Sequence, residues 1–288
     1  MYRSKPKERV IKFASAGDDS ERVLAPMLRW AGSKRQHVSF LRQCWGEGDY
    51  LRYVEPFAGS AAAFFAIAPE NALLGDINRE LIQMYRAVCR SPRAVSQCLR
   101  EFPKGENAYY TIRAMKPKLA VTKAARFIYL NRFCFNGLYR TNVDGKFNVP
   151  YGAPKTLNIP DISQFRASAR LLRRANLIDG DFRVLLANVR AGDFVYLDPP
   201  YASSRRRVFI QYAKGHFSTK DLSDLAAWLT NIDRRGAAFV LSYADSQDAR
   251  SAFRGWKTRR FAVRRNVAGF SNARRNHYEL FLSNLDTF

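Results

Sequence analysis

Short apolar runs closed by turn residues recur along this chain, and they alternate with longer segments of helical spacing. Tyr53-Val54 runs into Glu55-Pro56, Ala72-Leu73-Leu74 into Gly75-Asp76, and Phe194-Val195-Tyr196-Leu197 into Asp198-Pro199-Pro200. Runs of this kind predict strands buried on both faces, as in a parallel sheet. From Pro26 to about Asp76 the pattern is strand, turn, helix, strand. Residues 80–135 read mainly as helix, interrupted at Pro92, Pro103 and Pro117. From Phe182 onwards strands and helices alternate again: a helix over Leu222–Ile232, a strand over Ala237–Tyr243 and a last strand over Tyr278–Ser283. This order predicts a doubly wound α/β domain (26–80 and 176–288) split by a mainly helical insertion (81–175), behind a loosely ordered basic extension (1–25). Within the insertion, Asp144-Gly145 between alternating flanks predicts a β-hairpin closed by a two-residue type I′ turn.

Composition narrows the partner. The 288 residues hold 48 Lys+Arg against 25 Asp+Glu, a formal net charge of +23. An excess of that size calls for a polyanion, and nucleic acid is the commonest one. Arg runs such as Arg205-Arg206-Arg207 offer planar forks suited to phosphate. Cys44, Cys89, Cys98 and Cys134 form no Cys-x-x-Cys pair, and His37, His216 and His277 are dispersed, so no metal site or disulfide framework is expected. The run Ala61–Ala68 stops at Pro69, far short of a membrane span. With no apolar leader in the first 25 residues, the expected location is the cytoplasm, beside the nucleoid.

Two turns carry the candidate chemistry. Asp198-Pro199-Pro200-Tyr201 follows a strand signal, where open α/β sheets bind ligands. Asp198 and the Pro199 carbonyl can accept hydrogen bonds from a planar amino group, and the Tyr201 ring can stack on the base that bears it. The other turn, Glu55-Pro56-Phe57-Ala58-Gly59-Ser60, lets a ligand approach the backbone. Asp76 lies 17 residues beyond Gly59, close to the spacing at which an acid accepts ribose hydroxyls. Ala61 stands where a dinucleotide fingerprint would have a further glycine.

These stations resemble the Dam-type, alpha-class family of DNA adenine-N6 methyltransferases. They are Leu28-Arg29-Trp30-Ala31-Gly32-Ser33-Lys34, Glu55 to Gly59, Asp76-Ile77-Asn78, Asn131 to Gly152 and Asp198 to Tyr201. The resemblance implies a Rossmann-like S-adenosylmethionine-dependent methyltransferase fold with an inserted target-recognition domain. It implies Asp198, Pro199, Pro200 and Tyr201 as catalytic residues. Trp30, Lys34, Glu55, Phe57, Gly59, Asp76, Ile77, Asp181, Phe182 and Asp198 would line the cofactor site, with Lys34 on the methionine carboxylate. Double-stranded DNA would meet Arg29, Phe135, Asn136, Leu138, Arg140, Asn142, Pro150 and Arg205 to Arg207. In that reading Arg140 reads a guanine, Leu138 and Pro150 touch a thymine methyl, and Phe135 fills the gap left by the extruded adenine, which favours GATC or a GAT-containing site. Ser33 and Ala61 depart from the family's glycines.

Other classes stay open from sequence alone. A Mg²⁺ nuclease built on Asp198 lacks a second carboxylate motif at suitable spacing, and a non-catalytic DNA-binding module leaves Asp198 to Tyr201 idle. Cytosine-N4 or protein-glutamine methyltransferases share the chemistry but usually place Ser or Asn at the position of Asp198. Whether a cognate restriction enzyme accompanies the chain is not legible.

Overall fold

The computed structural model describes residues 10–11, 23–30, 32, 34–153, 158–202, 217–263 and 277–288. Eight strands form one sheet: β1 (Val10–Ile11), β2 (Arg52–Glu55), β3 (Ala72–Asp76), β4 (Ala175–Asp179), β5 (Asp193–Leu197), β6 (Ala238–Ala244), β7 (Lys257–Val263) and β8 (His277–Ser283). Their order across the sheet is β1-β7-β8-β6-β5-β2-β3-β4. Only β8 runs antiparallel to its neighbours β6 and β7; the other pairings are parallel. The N-terminal residues Val10 and Ile11 thus supply a short strand at the edge beside β7.

Burial explains the apolar runs. Consecutive strand residues point to opposite faces. Tyr53, Leu74, Phe194 and Tyr196 enter one core, while Val54, Leu73, Val195 and Leu197 enter the other. The first core is covered by α1 (Val38–Gly46), α2 (Ala62–Ile67), α3 (Arg79–Arg90) and the inserted helices α4 (Pro92–Glu101), α5 (Glu106–Ala114), α6 (Ala120–Phe133) and α7 (Ile162–Leu172). The second lies under α8 (Phe182–Ala187), α9 (Thr219–Arg234) and α10 (Gln247–Ala252). With both faces covered, the central strands β2, β3, β5 and β6 are buried at nearly every position and lack the alternation of a half-exposed sheet. Among the described residues, no helix is long and apolar enough to cross a membrane.

The hairpin differs in detail from its sequence signal. Thr141 and Phe147 form an isolated antiparallel bridge, as do Cys134 and Tyr151. A type I′ turn needs positive φ at both central residues, but of Asp144 and Gly145 only Gly145 has it, at +76°. Instead Gly145 N–H donates to the Asn142 carbonyl and Lys146 N–H to Asn142 Oδ1. The Asn142 side chain therefore closes a longer turn, and the ribbon is reduced to these two isolated bridges.

Candidate active site

The chain leaves β2 toward β3 and β4 on one side of the sheet, and leaves β5 toward β6 on the other. Such a switch point opens a crevice at the carboxyl ends of its two central strands, here β2 and β5. Glu55 ends β2, Asp76 ends the adjacent β3 and Asp198 follows β5 directly. Three carboxyl groups from distant parts of the chain thus meet at one sheet end.

The turn after β2 is held from several sides. Ala58 N–H donates to the Gly75 carbonyl (2.8 Å), Gly59 N–H to Asp76 Oδ2 (3.0 Å), and the Tyr85 hydroxyl to the Gly59 carbonyl (2.7 Å). Asp76 also accepts from Asn78 N–H (2.8 Å) and so ties the ends of β2 and β3 together. Burial raises its pKa against the pull of these two N–H donors. Gly59 has φ +48°, and a Cβ there would lie 2.9 Å from the Trp30 ring, so glycine is required twice over. Ala61 sits at φ 53° ahead of α2, in the left-handed region where a glycine would be unstrained.

Opposite this turn, Asp198 accepts from Ser242 Oγ (2.9 Å) and pairs with Lys34 Nζ (2.9 Å). Lys34 also donates to the Gly32 carbonyl (3.1 Å) and lies 3.5 Å from Glu279 Oε1. Burial works against the Lys34 ammonium, but Asp198, Tyr201 and Glu279 outweigh it and raise its pKa. Burial raises the Asp198 pKa, although Lys34 and Ser242 pull the other way. Glu55, 3% exposed, accepts from the Tyr53 hydroxyl (3.1 Å); burial, with Asp198 and Asp76 nearby, pushes its pKa well up. The Tyr201 hydroxyl donates to Glu279 Oε1 (2.9 Å), and burial first, then the neighbouring carboxylates, push that phenol up to about 12. Ala202 N–H, donating to the Tyr243 hydroxyl (2.7 Å), fixes the exit from the motif.

The other candidates fall into three groups. Phe57, Phe182 and Phe217 form an apolar wall, with ring centroids 5.2–6.1 Å apart. Ile77 is exposed directly after Asp76. Asp181 caps α8 through Arg183 N–H and pairs with the Arg183 guanidinium, which also grips Asp221 and Asp224. Lys34, expected to meet a methionine carboxylate, faces Asp198 and Glu279 and donates to the Gly32 carbonyl.

On the insertion side, Phe135, Leu138, Arg140 and Pro150 are exposed, with Asn136 at φ 53° in the turn between. Arg140 Nε donates to Asn148 Oδ1 (2.8 Å), and Asn142 serves the turn described above. Arg29 is exposed at its side chain and clamped at its backbone: its N–H donates to Asn131 Oδ1 (2.8 Å), and Asn131 Nδ2 donates to its carbonyl (2.6 Å). Trp30 stacks on Tyr139 (centroids 5.9 Å, 20° between planes) while abutting Gly59. Residues 29 and 30 therefore bridge the insertion and the turn after β2. A cleft of about 880 Å³ between α3, α5, α6 and the hairpin is lined by Arg86, Arg113, Lys116, Lys118, Lys123 and Lys146 among others. Arg205, Arg206 and Arg207 lie outside the described residues. Among the described residues, no three His, Cys, Asp or Glu side chains are grouped to hold a metal ion.

Sequence reading missed Glu279, Ser242, Tyr139 and Asn131 as individual side chains. Glu279 alone left a local trace, as an acid inside the apolar strand signal Tyr278–Ser283.

Comparison with known proteins identifies a family. The profile of the D12 class N6 adenine-specific DNA methyltransferases matches residues 30–267. Similar proteins include the type II methyltransferase M.MjaIII of Methanocaldococcus jannaschii, 32% identical over 284 residues (90% of this chain, 98% of that protein). The retron Ec67 DNA adenine methylase of Escherichia coli is 34% identical over 251 residues (85% and 86%). A DNA adenine methylase of Vibrio cholerae is 33% identical over 238 residues (79% and 84%).

Proposed function

The chain belongs to the D12 class of N6 adenine-specific DNA methyltransferases, and from that premise we propose that it methylates N6 of an adenine flipped out of duplex DNA, with S-adenosylmethionine as donor and GATC or a GAT-containing sequence as site. The observation that carries this reading is the crevice itself, in which the Asp198 to Tyr201 turn and the Gly59 turn share one sheet end.

The residues present suit that donor. Glu55, Asp76 and Asp198 bring carboxyl oxygens to the crevice, which suits a hydroxyl-bearing ribose. Asp76 keeps lone pairs beyond the two given to Gly59 and Asn78. The Phe57–Phe182 wall offers an apolar face to a purine. When bound, S-adenosylmethionine supplies an electrophilic methyl group on sulfur.

The chain's own part is orientation. Extruding the adenine costs a few kcal/mol, and stacking on Tyr201 returns about 1–3 kcal/mol of it. The two N6–H groups donate hydrogen bonds to Asp198 and the Pro199 carbonyl, which aims the nitrogen lone pair out of the ring plane. Burial that raises the Asp198 pKa also makes it a better base for the surplus N6 proton. Arg140 and the exposed Phe135 and Leu138, within a target-recognition domain spanning 81–175, face the recognition sequence together with Arg29 from outside that domain, and the Lys- and Arg-lined cleft beside the hairpin meets phosphates.

The test is incubation with methyl-labelled S-adenosylmethionine and unmethylated duplex DNA, followed by identification of the modified base. Label is expected in N6-methyladenine, with plasmid protected from a GATC-specific, adenine-sensitive nuclease. Asp198→Ala is expected to lose transfer while its DNA affinity stays within about threefold. Label in N4-methylcytosine, or an Asp198→Ala variant of normal turnover, overturns the reading.

A further inference from the structure

We propose that Glu279 is a positioning residue for the transfer site, anchoring the Tyr201 hydroxyl and sharing Lys34 with Asp198. This rests on the functional reading above and deepens it.

Glu279 lies in mid-sheet, paired with Ala244 of β6 on one side and Phe261 of β7 on the other. It is 5% exposed, and Leu280, Phe281 and Leu282 beyond it are buried hydrophobics. A carboxylate there is costly unless partnered, and the fold does not require one, because an apolar residue would pack in its place. On the same strand face, Phe281 packs on His37 (4.9 Å) and Phe40 (5.4 Å). Among the described residues, the polar groups that contact the Glu279 carboxylate belong to the site or its approach: the Tyr201 hydroxyl at 2.9 Å, Lys34 Nζ at 3.5 Å and His37 Nδ1 at 3.9 Å.

Two consequences follow from that placement. Tyr201 is held at its far end, so its ring has a fixed plane before any base arrives. Lys34 stands between two carboxylates, at 2.9 Å from Asp198 and 3.5 Å from Glu279. With Glu279 present, the ammonium is not left to Asp198 alone, and Asp198 keeps acceptor capacity for an incoming amino group. Without it, Lys34 closes fully onto Asp198 and competes with the substrate.

The experiment compares Glu279→Leu, Glu279→Gln, Tyr201→Phe and the Tyr201→Phe/Glu279→Leu double variant. Three quantities are measured: DNA dissociation constant, kcat, and the fluorescence of a duplex carrying 2-aminopurine at the target adenine, the last without cofactor. Glu279→Leu is expected to lower kcat about 100-fold, to keep DNA affinity within about threefold and to change the 2-aminopurine signal. Glu279→Gln, which keeps an acceptor for Tyr201 but no charge for Lys34, is expected to lose about tenfold in kcat. The double variant should be little worse than the poorer single one, since both remove the same hydrogen bond. A Glu279→Leu kcat within about twofold of wild type, or multiplicative losses in the double variant, overturns the assignment. Should Glu279→Leu fail to fold, a Glu279→Gln or Tyr201→Phe kcat within about twofold of wild type overturns it equally. Wild-type protein that leaves adenine unlabelled defeats the functional reading itself. Adenine methylation that depends on Asp198 but not on Glu279 defeats this inference alone.

Discussion

Lys34→Met removes one charge from the centre of the site and little else, because methionine matches the length and most of the volume of the lysine stem. The Lys34 side chain is 6% exposed, and its ammonium lies 2.9 Å from Asp198 and 3.5 Å from Glu279. Removing it leaves two neighbouring carboxylates with no cation between them. Breaking a buried pair from one side costs about 3–5 kcal/mol. At roughly 2–4 °C per kcal/mol for a chain of this size, Tm should fall by about 10 °C near neutral pH. The pH dependence has a definite sign. Lys34 has a folded-state pKa above its ordinary value, so its contribution is complete below the unfolded value and is lost only as pH rises through the folded one. In the variant, protonating Asp198 relieves the repulsion, and the deficit should shrink as pH falls toward about 5. Thermal and urea unfolding of wild type, Lys34→Met, Asp198→Asn and the double variant measures both effects. The double variant should be destabilised by at least about 1 kcal/mol less than the sum of the singles. A Lys34→Met protein within about 0.5 kcal/mol of wild type near neutral pH, or strictly additive costs, would refute the central pairing.

Two further outcomes are expected. Asn131→Ala leaves the Arg29 N–H and carbonyl without their partners, so stability should drop by about 2–3 kcal/mol. DNA affinity should weaken about tenfold as Arg29 loses its fixed backbone; titration with a GATC duplex checks this, and unchanged affinity would separate Asn131 from recognition. Glu55→Gln keeps an acceptor for Tyr53 but removes a group whose pKa burial raises well above the carboxylate range. Such a group loses stability for the fold as pH rises past its unfolded value, so the variant should melt higher than wild type at pH about 8 and equally at pH about 5. Parallel melts across that range decide it, and a lower Tm for the variant at pH about 8 contradicts the assignment.

Several elements were legible because their signals are local. The run Phe194–Leu197 is apolar at every position, as a strand buried on both faces must be, and it is β5. The spacing over Leu222–Ile232 lies within α9, and the acidic residue after Leu73-Leu74-Gly75 does close β3 beside the Gly59 turn. The turn at Asp144-Gly145 was misread in type, because the competing bond from Lys146 N–H to the Asn142 side chain depends on an orientation that dipeptide preference does not encode.

By itself the order of residues determined which strands end in acids, because a strand signal and the turn that closes it are covalent neighbours. It also determined the excess of positive charge, which is a sum over composition and needs no geometry. Tertiary structure alone decided which of those acids meet. Glu279 reaches Tyr201 and Lys34 because β8 inserts antiparallel between β6 and β7, and Asn131 grips Arg29 because α6 packs beside the segment before α1. Contacts between residues so far apart in the chain leave no periodicity behind; they exist only once burial has fixed the packing of the sheet and its helices.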